Sequence, residues 1–311
     1  MPASRTSPLA RAEHFLWLTA RVLDQRRFAY HFLDGSPDDV EAALAAYRNP
    51  DHGYGHALDP DLRGPLSQPL HTVVALRVLH EIDRCQGRRA EQICRYLTGV
   101  STPDGALPAL HPARAGHPVA PWLATPEAPP AGEPPSDLLA TGPVVGLLHR
   151  NGVWDAWLFR ATDYCWSAVE RLERTHPHRV RAALAFLDGA PDRARAEAAA
   201  DRLGRLVRRR RLAMAEPERR GLHLACDFAP TPDSLARRWF SEAELERSVD
   251  MLAGQQQADG GWPVRRRAWP PGSAAVWRAM VTIEALRTLR AYGRDLGSDL
   301  GGGSGHWPPT G

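Results

Sequence analysis

Three short corners constrain this chain more than any other feature. The stretches "NPDHGYG" (49–55), "TPDGALP" (102–108) and "QADGGWP" (257–263) each follow an amphipathic helical segment. Each combines an aspartate (Asp51, Asp104, Asp259) with glycine and leads through a proline-rich crossing into a second helix. In the first and last units that second helix is more apolar and poorer in charge. A helix, a tight acidic turn and a second helix form a hairpin. Imperfect hairpins of roughly 40–50 residues can close as a ring, polar helices outside and apolar helices lining the interior. The intervals between the aspartates are unequal and leave room for degenerate copies. The same pattern also permits an open helical solenoid.

Helical periodicity runs through the rest of the chain. "RAEHFLWLTARVLDQRRFAYHFL" places Phe15, Leu18, Val22 and, less regularly, Leu16 and Leu23 on one broad stripe. "SQPLHTVVALRVLHEI" does the same with Leu70, Val73, Val74, Leu76, Val78 and Leu79. Further helices are predicted over 36–47, 87–98, 136–149, 153–173, 178–188, 191–210, 241–256 and 273–292. Ser36 followed by Pro37, Asp38 and Asp39 marks one start, Pro191 another, and Ser241 with Glu244 forms a capping box. No stretch alternates as a strand would. The expected fold is all-α: an α/α toroid in a single domain over 8–292, with a flexible stretch at 1–7. The Gly-, Ser- and Pro-rich tail is expected to begin at Gly293.

Composition narrows the function. The 39 basic residues are all arginine, against 36 acidic ones. With no lysine and so much alanine, the arginine count reflects coding bias more than phosphate binding. The run of arginines at 208–211 is read as a solvated helix end with cations near its C-terminus. No basic stripe of the kind that tracks nucleic acid is present. The four cysteines (Cys85, Cys94, Cys165, Cys226) show no metal-knuckle or disulfide-framework spacing. No leader or apolar run approaching 18 residues is visible, so a cytoplasmic protein with reduced thiols is expected.

"LAGQQQADGGWP" resembles the QW repeat of the squalene–hopene cyclase and prenyltransferase-like superfamily. Gln256 or Gln257 would supply the glutamine and Asp259-Gly260-Gly261-Trp262 the turn. "NPDHGYGHALDPDLRGPLSQPL" and "CDFAPTPDSLARRWF" look like the single-domain bacterial prenyltransferase/squalene-oxidase-repeat proteins of the same superfamily. The resemblance covers most of 8–292. It implies a toroid of paired helices, with terpene-cyclase-like activity as the expectation. The chain departs from the class II DxDD motif: Asp59-Pro60-Asp61-Leu62 supplies two aspartates and stops. Asp38-Asp39-Val40-Glu41-Ala42 is not the DDxxD diphosphate clamp. Cys226, Asp227 and His223 are zinc-ligand types at spacings that do not match the protein prenyltransferases. No metal and no cofactor is expected.

If every Asp-Gly turn joins an outer helix to an inner one, the turns lie at one end of the ring and build one rim. That rim gathers His56, Asp59, Asp61 and Arg63; Asp104 through Trp122; residues 222–234, with Asp227, Phe228 and Asp233; and Arg265 through Trp269. Asp59 and Asp61 flank a proline and are close enough to repel. Partial burial would raise one pKa and give a carboxylic acid at neutral pH. His56 would donate to the ionised partner or reset the acid. The same aspartates also fit simple turn and cap roles, as do Asp227 and Asp233. Tyr54, Trp122, Phe228, Trp262, Trp269 and Trp277 would wall the cavity with π-faces for a passing carbocation. Trp262 reads first as a residue that packs a repeat seam. Arg265, Arg266 and Arg267 offer a hold on an anionic head group.

The expected function is therefore class II-like cyclisation of an apolar, isoprenoid substrate initiated by a Brønsted acid. The alternatives are a cyclase of a polyene or polyketide-like substrate, a lipid-like-ligand binding protein, and a glycan-active toroid.

Overall fold

Hydroxyl, carboxyl and proline residues set most of the helix starts. Ser7 and Ser36 cap helices that open on Pro8 and Pro37. Asp137 and Asp155 accept N–H groups two residues on. Ser241 and Glu244 cap each other's backbone. A computed structural model describes residues 7–111, 116–121, 123, 137–173, 176–210, 212–213, 223–265, 269 and 271–297.

The helices are α1 (Pro8–Thr19), α2 (Val22–Phe32), α3 (Pro37–Ala45), α4 (Pro69–Glu81), α5 (Gly87–Val100), α6 (Leu138–Arg150), α7 (Ala156–Glu170), α8 (Pro177–Gly189), α9 (Arg193–Arg210), α10 (Ala225–Phe228), α11 (Glu242–Gly254) and α12 (Pro271–Ala291). A 3₁₀ turn, Leu235–Trp239, lies between α10 and α11. The described residues hold no strand, only isolated bridges at 48/54, 62/119 and 213/223. The fold is all-α. No described helix is long and apolar enough to cross a membrane.

The predicted single stripe over 11–33 is broken. Ala20 is extended, so the chain makes two helices and the stripe changes phase between them. Phe15, Leu16 and Leu23 are buried, whereas Leu18 and Val22 are 70% and 61% exposed. Neither glycine nor proline marks this break. The Gln25 side chain holds it, donating to the carbonyls of Trp17 and Ala20 at 3.2 Å each.

Helices α4 and α6 bury residues on all sides: Thr72, Val73, Val74, Ala75 and Leu76 are consecutive buried positions, as are Ala140 through Gly146. Helices α5 and α9 bury one stripe and expose the other face. Packing runs from α2 through α3 to α4, then to α6 and α8, and on to α9 and the 3₁₀ turn. It resumes from α10 through α11 to α12, which returns to α1 and α2. The tightest approach is α6 against α8. A methyl group placed on Gly146 would lie 1.9 Å from the Ala185 carbonyl oxygen, so only glycine permits it.

A buried ion network ties α2 and α12 to α4. Arg27 donates to both carboxylate oxygens of Glu81 (2.9 and 3.0 Å) and to Asp24 at 3.2 Å. Arg287 and His31 also reach Glu81. Burial opposes the charge on Arg27, and Glu81 and Asp24 more than offset it, so its pKa is raised. Burial likewise opposes the Glu81 carboxylate, and Arg27, His31 and Arg287 hold it well below the usual carboxylate range. Beyond α12, the Leu9 N–H donates to the Leu296 carbonyl at 3.1 Å and Leu296 is buried. Leu296, expected in the tail, thus packs on α1, and Arg294 pairs with Asp250 of α11 at 2.7 Å. Residues 1–6 and 298–311 lie outside the described residues.

Candidate functional site

The three corners share one hydrogen-bonded geometry. In each, the first residue's N–H donates to the carbonyl four residues on: Asn49 to Gly53, Thr102 to Ala106 and Gln257 to Gly261, all at 2.9 Å. In each, the aspartate carboxylate accepts the N–H two residues later, at 2.9, 3.3 and 3.1 Å for Asp51, Asp104 and Asp259. The residue after the aspartate has positive φ: His52, Gly105 and Gly260. At Gly260 an added methyl would meet the Arg11 carbonyl oxygen at 2.1 Å, so the position demands glycine twice over.

The residue that closes each corner is buried: Tyr54, Leu107 and Trp262. Leu107 and Trp262 donate their N–H groups at 2.9 Å to Thr141 Oγ1 and Thr282 Oγ1 on the helices that follow. The carbonyls of Tyr54 and Leu107 accept the N–H of Gln68 and Asp137, the residues that cap α4 and α6. Each corner is therefore a staple between the helix before it and the helix after it. Of Gln256 and Gln257, it is the Gln256 side chain that ties this corner to α1. It accepts from Arg11 at 2.5 Å and donates to the carbonyls of Pro8 and Gly260. Trp262 donates its Nε1–H to the Leu252 carbonyl at 2.7 Å, which places it in the seam and not on a cavity wall.

The first corner runs on into a loop with backbone strain. His56 and Ala57 both hold φ near +55°, a costly conformation for residues with a Cβ. Arg21 props this loop from α2 by donating to the Leu58 carbonyl at 3.0 Å. His56 Nε2 pairs with Asn49 Oδ1 at 2.9 Å and is exposed. The Asp59 N–H donates to Nδ1 of His71 at 2.8 Å, and its carboxylate accepts the Asp61 N–H at 2.9 Å. Asp59 thus shapes the turn that presents Asp61. Asp61 is buried, and its Oδ1 accepts the Nε1–H of Trp277 at 2.8 Å.

Next to it, the Asp61 carbonyl accepts the N–H of Ala120, and the Arg63 N–H donates to Pro118. Residues 61–63 and 118–120 therefore run side by side. The Arg63 guanidinium lies near Gly272 at the start of α12. His71 was not a sequence candidate. Burial, together with the charges of His56 and Arg21, lowers its pKa to about 3, so it is a neutral imidazole. Its signal was a lone polar ring inside the apolar run of α4.

A second acidic group lies on α10. The Asp227 carboxylate accepts the Leu224 N–H at 2.7 Å, pairs with Arg265, and lies 3.6 Å from His223 Nδ1. Burial would raise its pKa, and His223, Arg265 and Arg181 outweigh that and hold it well below the carboxylate range. His223 meets His178 edge-on at 5.1 Å, and His178 stacks on His176 at the same separation. Phe228 is buried against Trp239 and Phe240. The stretch from Arg265 to Trp277 thus carries both contacts, one to Asp227 and one to Asp61.

Trp269, in the same stretch, is half-buried, and Asp233 is exposed on the turn before the 3₁₀ segment. Asp104 opens instead on a surface hollow of about 310 Å³ beside Arg160 and Asp163 of α7. Trp122, Arg266 and Arg267 lie outside the described residues. Among the described residues no group of three or more His, Cys, Asp or Glu is arranged to hold a metal ion.

The class defined by these observations is an all-helical protein of stapled hairpins. Its fold recurs in a solved structure described as the crystal structure of a protein from Actinoplanes. That chain superposes with a TM-score of 0.53 over 92% of this chain and 89% of its own, at 16% identity. At that identity the likeness carries the fold alone. No family model and no curated protein matches the chain.

Proposed function

We propose that the hairpins close as an α/α toroid and that the protein is a class II terpene cyclase-like enzyme acting on an apolar, isoprenoid substrate. The observation that carries the reading is Asp61, a buried carboxyl group that accepts the indole N–H of Trp277, on a loop with positive φ at His56 and Ala57. The return of α12 onto α1 and α2 supports closure of the ring. The three like corners support its construction from QW-like hairpins.

In this reading Asp61 is the Brønsted acid that adds a proton to a terminal C=C of the substrate. The π electrons of a second C=C close the ring, and loss of a proton from the resulting carbocation leaves an isomer of the substrate. Solvent restores the proton of Asp61. The face of Trp277 stabilises the cation. Asp59 is a positioning residue, because its carboxylate holds the Asp61 N–H. His56 faces Asn49, so it has no assigned step. The assigned compartment is the cytoplasm, in keeping with four unpaired cysteines.

The test is mass spectrometry of products after incubation with linear prenyl diphosphates and squalene-like polyenes, for the wild type and Asp61→Asn. A cyclised isomer made by the wild type alone supports the acid. A second reading, a lipid-like-ligand binding protein on the same fold, is favoured by one observation: Asp59 and Asp61 both bond to scaffold groups. It predicts retained ligand, no product, and equal behaviour of the two proteins. Fold alone does not choose between them.

A further inference from the structure

A groove of about 610 Å³ lies far along the chain from Asp61, on α9 and the 3₁₀ turn. That size suits a small ligand. Its walls carry Arg202, Arg205, Arg208, Arg209 and Arg238 against a single acid, Asp201, and its floor is Gly204 with Trp239.

Three of these arginines are engaged. Arg202 caps the carbonyls of Val169 and Glu170 at the end of α7. Arg208 pairs with Glu244 at 2.5 Å, and Arg238 with Asp201 at 3.5 Å. Arg205 and Arg209 differ. Both are exposed, and among the described residues neither forms a hydrogen bond or an ion pair. They stand four residues apart on one helical face, where like charges oppose each other. Here they line a concavity.

The floor supplies a second, independent sign. Trp239 is 8% exposed, and its Nε1–H is buried with no acceptor among the described residues. The group lies against Gly204: a methyl on that glycine would sit 2.7 Å from Nε1. The missing side chain therefore leaves the indole edge as the groove's base. A buried donor without an acceptor is rare and calls for one. Guanidinium forks and an N–H donor together match the tetrahedral oxygens of a phosphoryl group.

We propose that this groove binds a phosphorylated or diphosphorylated small molecule, with Arg205 and Arg209 as its principal ligands and Trp239 Nε1–H as a third donor. The site is independent of the Asp61 reading and holds whether or not that reading does.

The experiment is calorimetric titration of the full chain with inorganic diphosphate at fixed ionic strength, beside Arg205→Ala/Arg209→Ala and Trp239→Phe. Sulfate and vesicles containing an anionic phospholipid are the comparison arms. We expect saturable binding by the wild type, weakened at least tenfold in the double arginine variant and more modestly in Trp239→Phe, with sulfate weaker than diphosphate. Both arginines are exposed, so the double variant should fold, and its melting temperature checks this. Absence of binding, or equal binding by wild type and double variant, would overturn the proposal. So would vesicle binding that diphosphate does not displace, since that assigns the arginines to a membrane surface.

Discussion

Trp277 donates its indole N–H to Asp61 at 2.8 Å, joining the loop before α4 to the last helix across 216 positions of sequence. Trp277→Phe keeps the ring and removes the donor. It should cost about 0.5–1.5 kcal/mol in urea unfolding, the net contribution of a typical hydrogen bond. Asp61→Asn keeps an acceptor oxygen and should cost less, yet under the proposed chemistry it abolishes product. If activity instead tracks stability across the two variants, Asp61 is scaffold and the acid role is wrong.

The corner staples make a separate prediction. Thr141→Val and Thr282→Val preserve shape but remove the hydroxyl that accepts a buried backbone N–H from Leu107 or Trp262. Each should lower stability by roughly 1–3 kcal/mol, the cost of an unsatisfied buried donor. The pair should be nearly additive, since the corners are distinct. Thermal unfolding of both single variants and the double variant checks this; a neutral Thr282→Val would show that the staple contributes nothing.

Glu81→Gln leaves Arg27 buried beside a neutral group. A cost of about 3–5 kcal/mol is expected, as for any buried pair deprived of one partner. Replacing both partners, in Arg27→Met/Glu81→Leu, should cost less than either single change. Denaturant titration of the three variants separates a required ion pair from one that an apolar contact can replace.

Acid should destabilise the protein through His71. Its pKa is about 3 in the fold and 6.5 when free, so between these values the unfolded chain binds a proton that the folded chain refuses. Stability is therefore full above about 6.5 and falls as pH drops toward 3, by at most about 1.4 kcal/mol per pH unit for one site. His31, also lowered by burial, adds to the same slope. Asn retains an acceptor for the Asp59 N–H, so His71→Asn should flatten the dependence between pH 7 and 5. An unchanged slope in urea unfolding would remove His71 as its source.

Burial pushes the thiols of Cys85, Cys94 and Cys226 up to about 12, and that of Cys165 well above its usual value. All four are buried and free. Native protein at pH 8 should therefore resist an aromatic disulfide reagent for many minutes and release four equivalents when denatured. Rapid labelling of any one would show local opening around that cysteine.

Much of this fold was legible in the chain. The corners at 51, 104 and 259 repeat in hydrogen bonds as they do in residue type, because an aspartate, a left-handed residue and a buried closer are local requirements. Helix starts at Ser36, Asp155 and Ser241 were likewise local. The break at Ala20 was not, because its cause is the Gln25 side chain reaching back to two carbonyls. Trp262 read first as a seam residue, but its bond to the Leu252 carbonyl was not visible along the chain.

The candidate site divides along the same line. Asp59 and Asp61 stand out in sequence as a proline-spaced acidic pair, but their unlike roles do not: Asp59 holds a turn while Asp61 meets Trp277. The network of Arg27, Glu81 and Arg287 gave no signal, because its members lie on three helices that meet only in space. The arginines of α9 read alike along the chain, and packing alone distinguished Arg195 and Arg208, paired with Glu170 and Glu244, from Arg205 and Arg209. By itself the sequence determined the helices and the corners, since backbone capping and periodicity act within a few residues. The tertiary structure decided which polar side chains meet, because partners far apart in the chain are chosen by burial and distance.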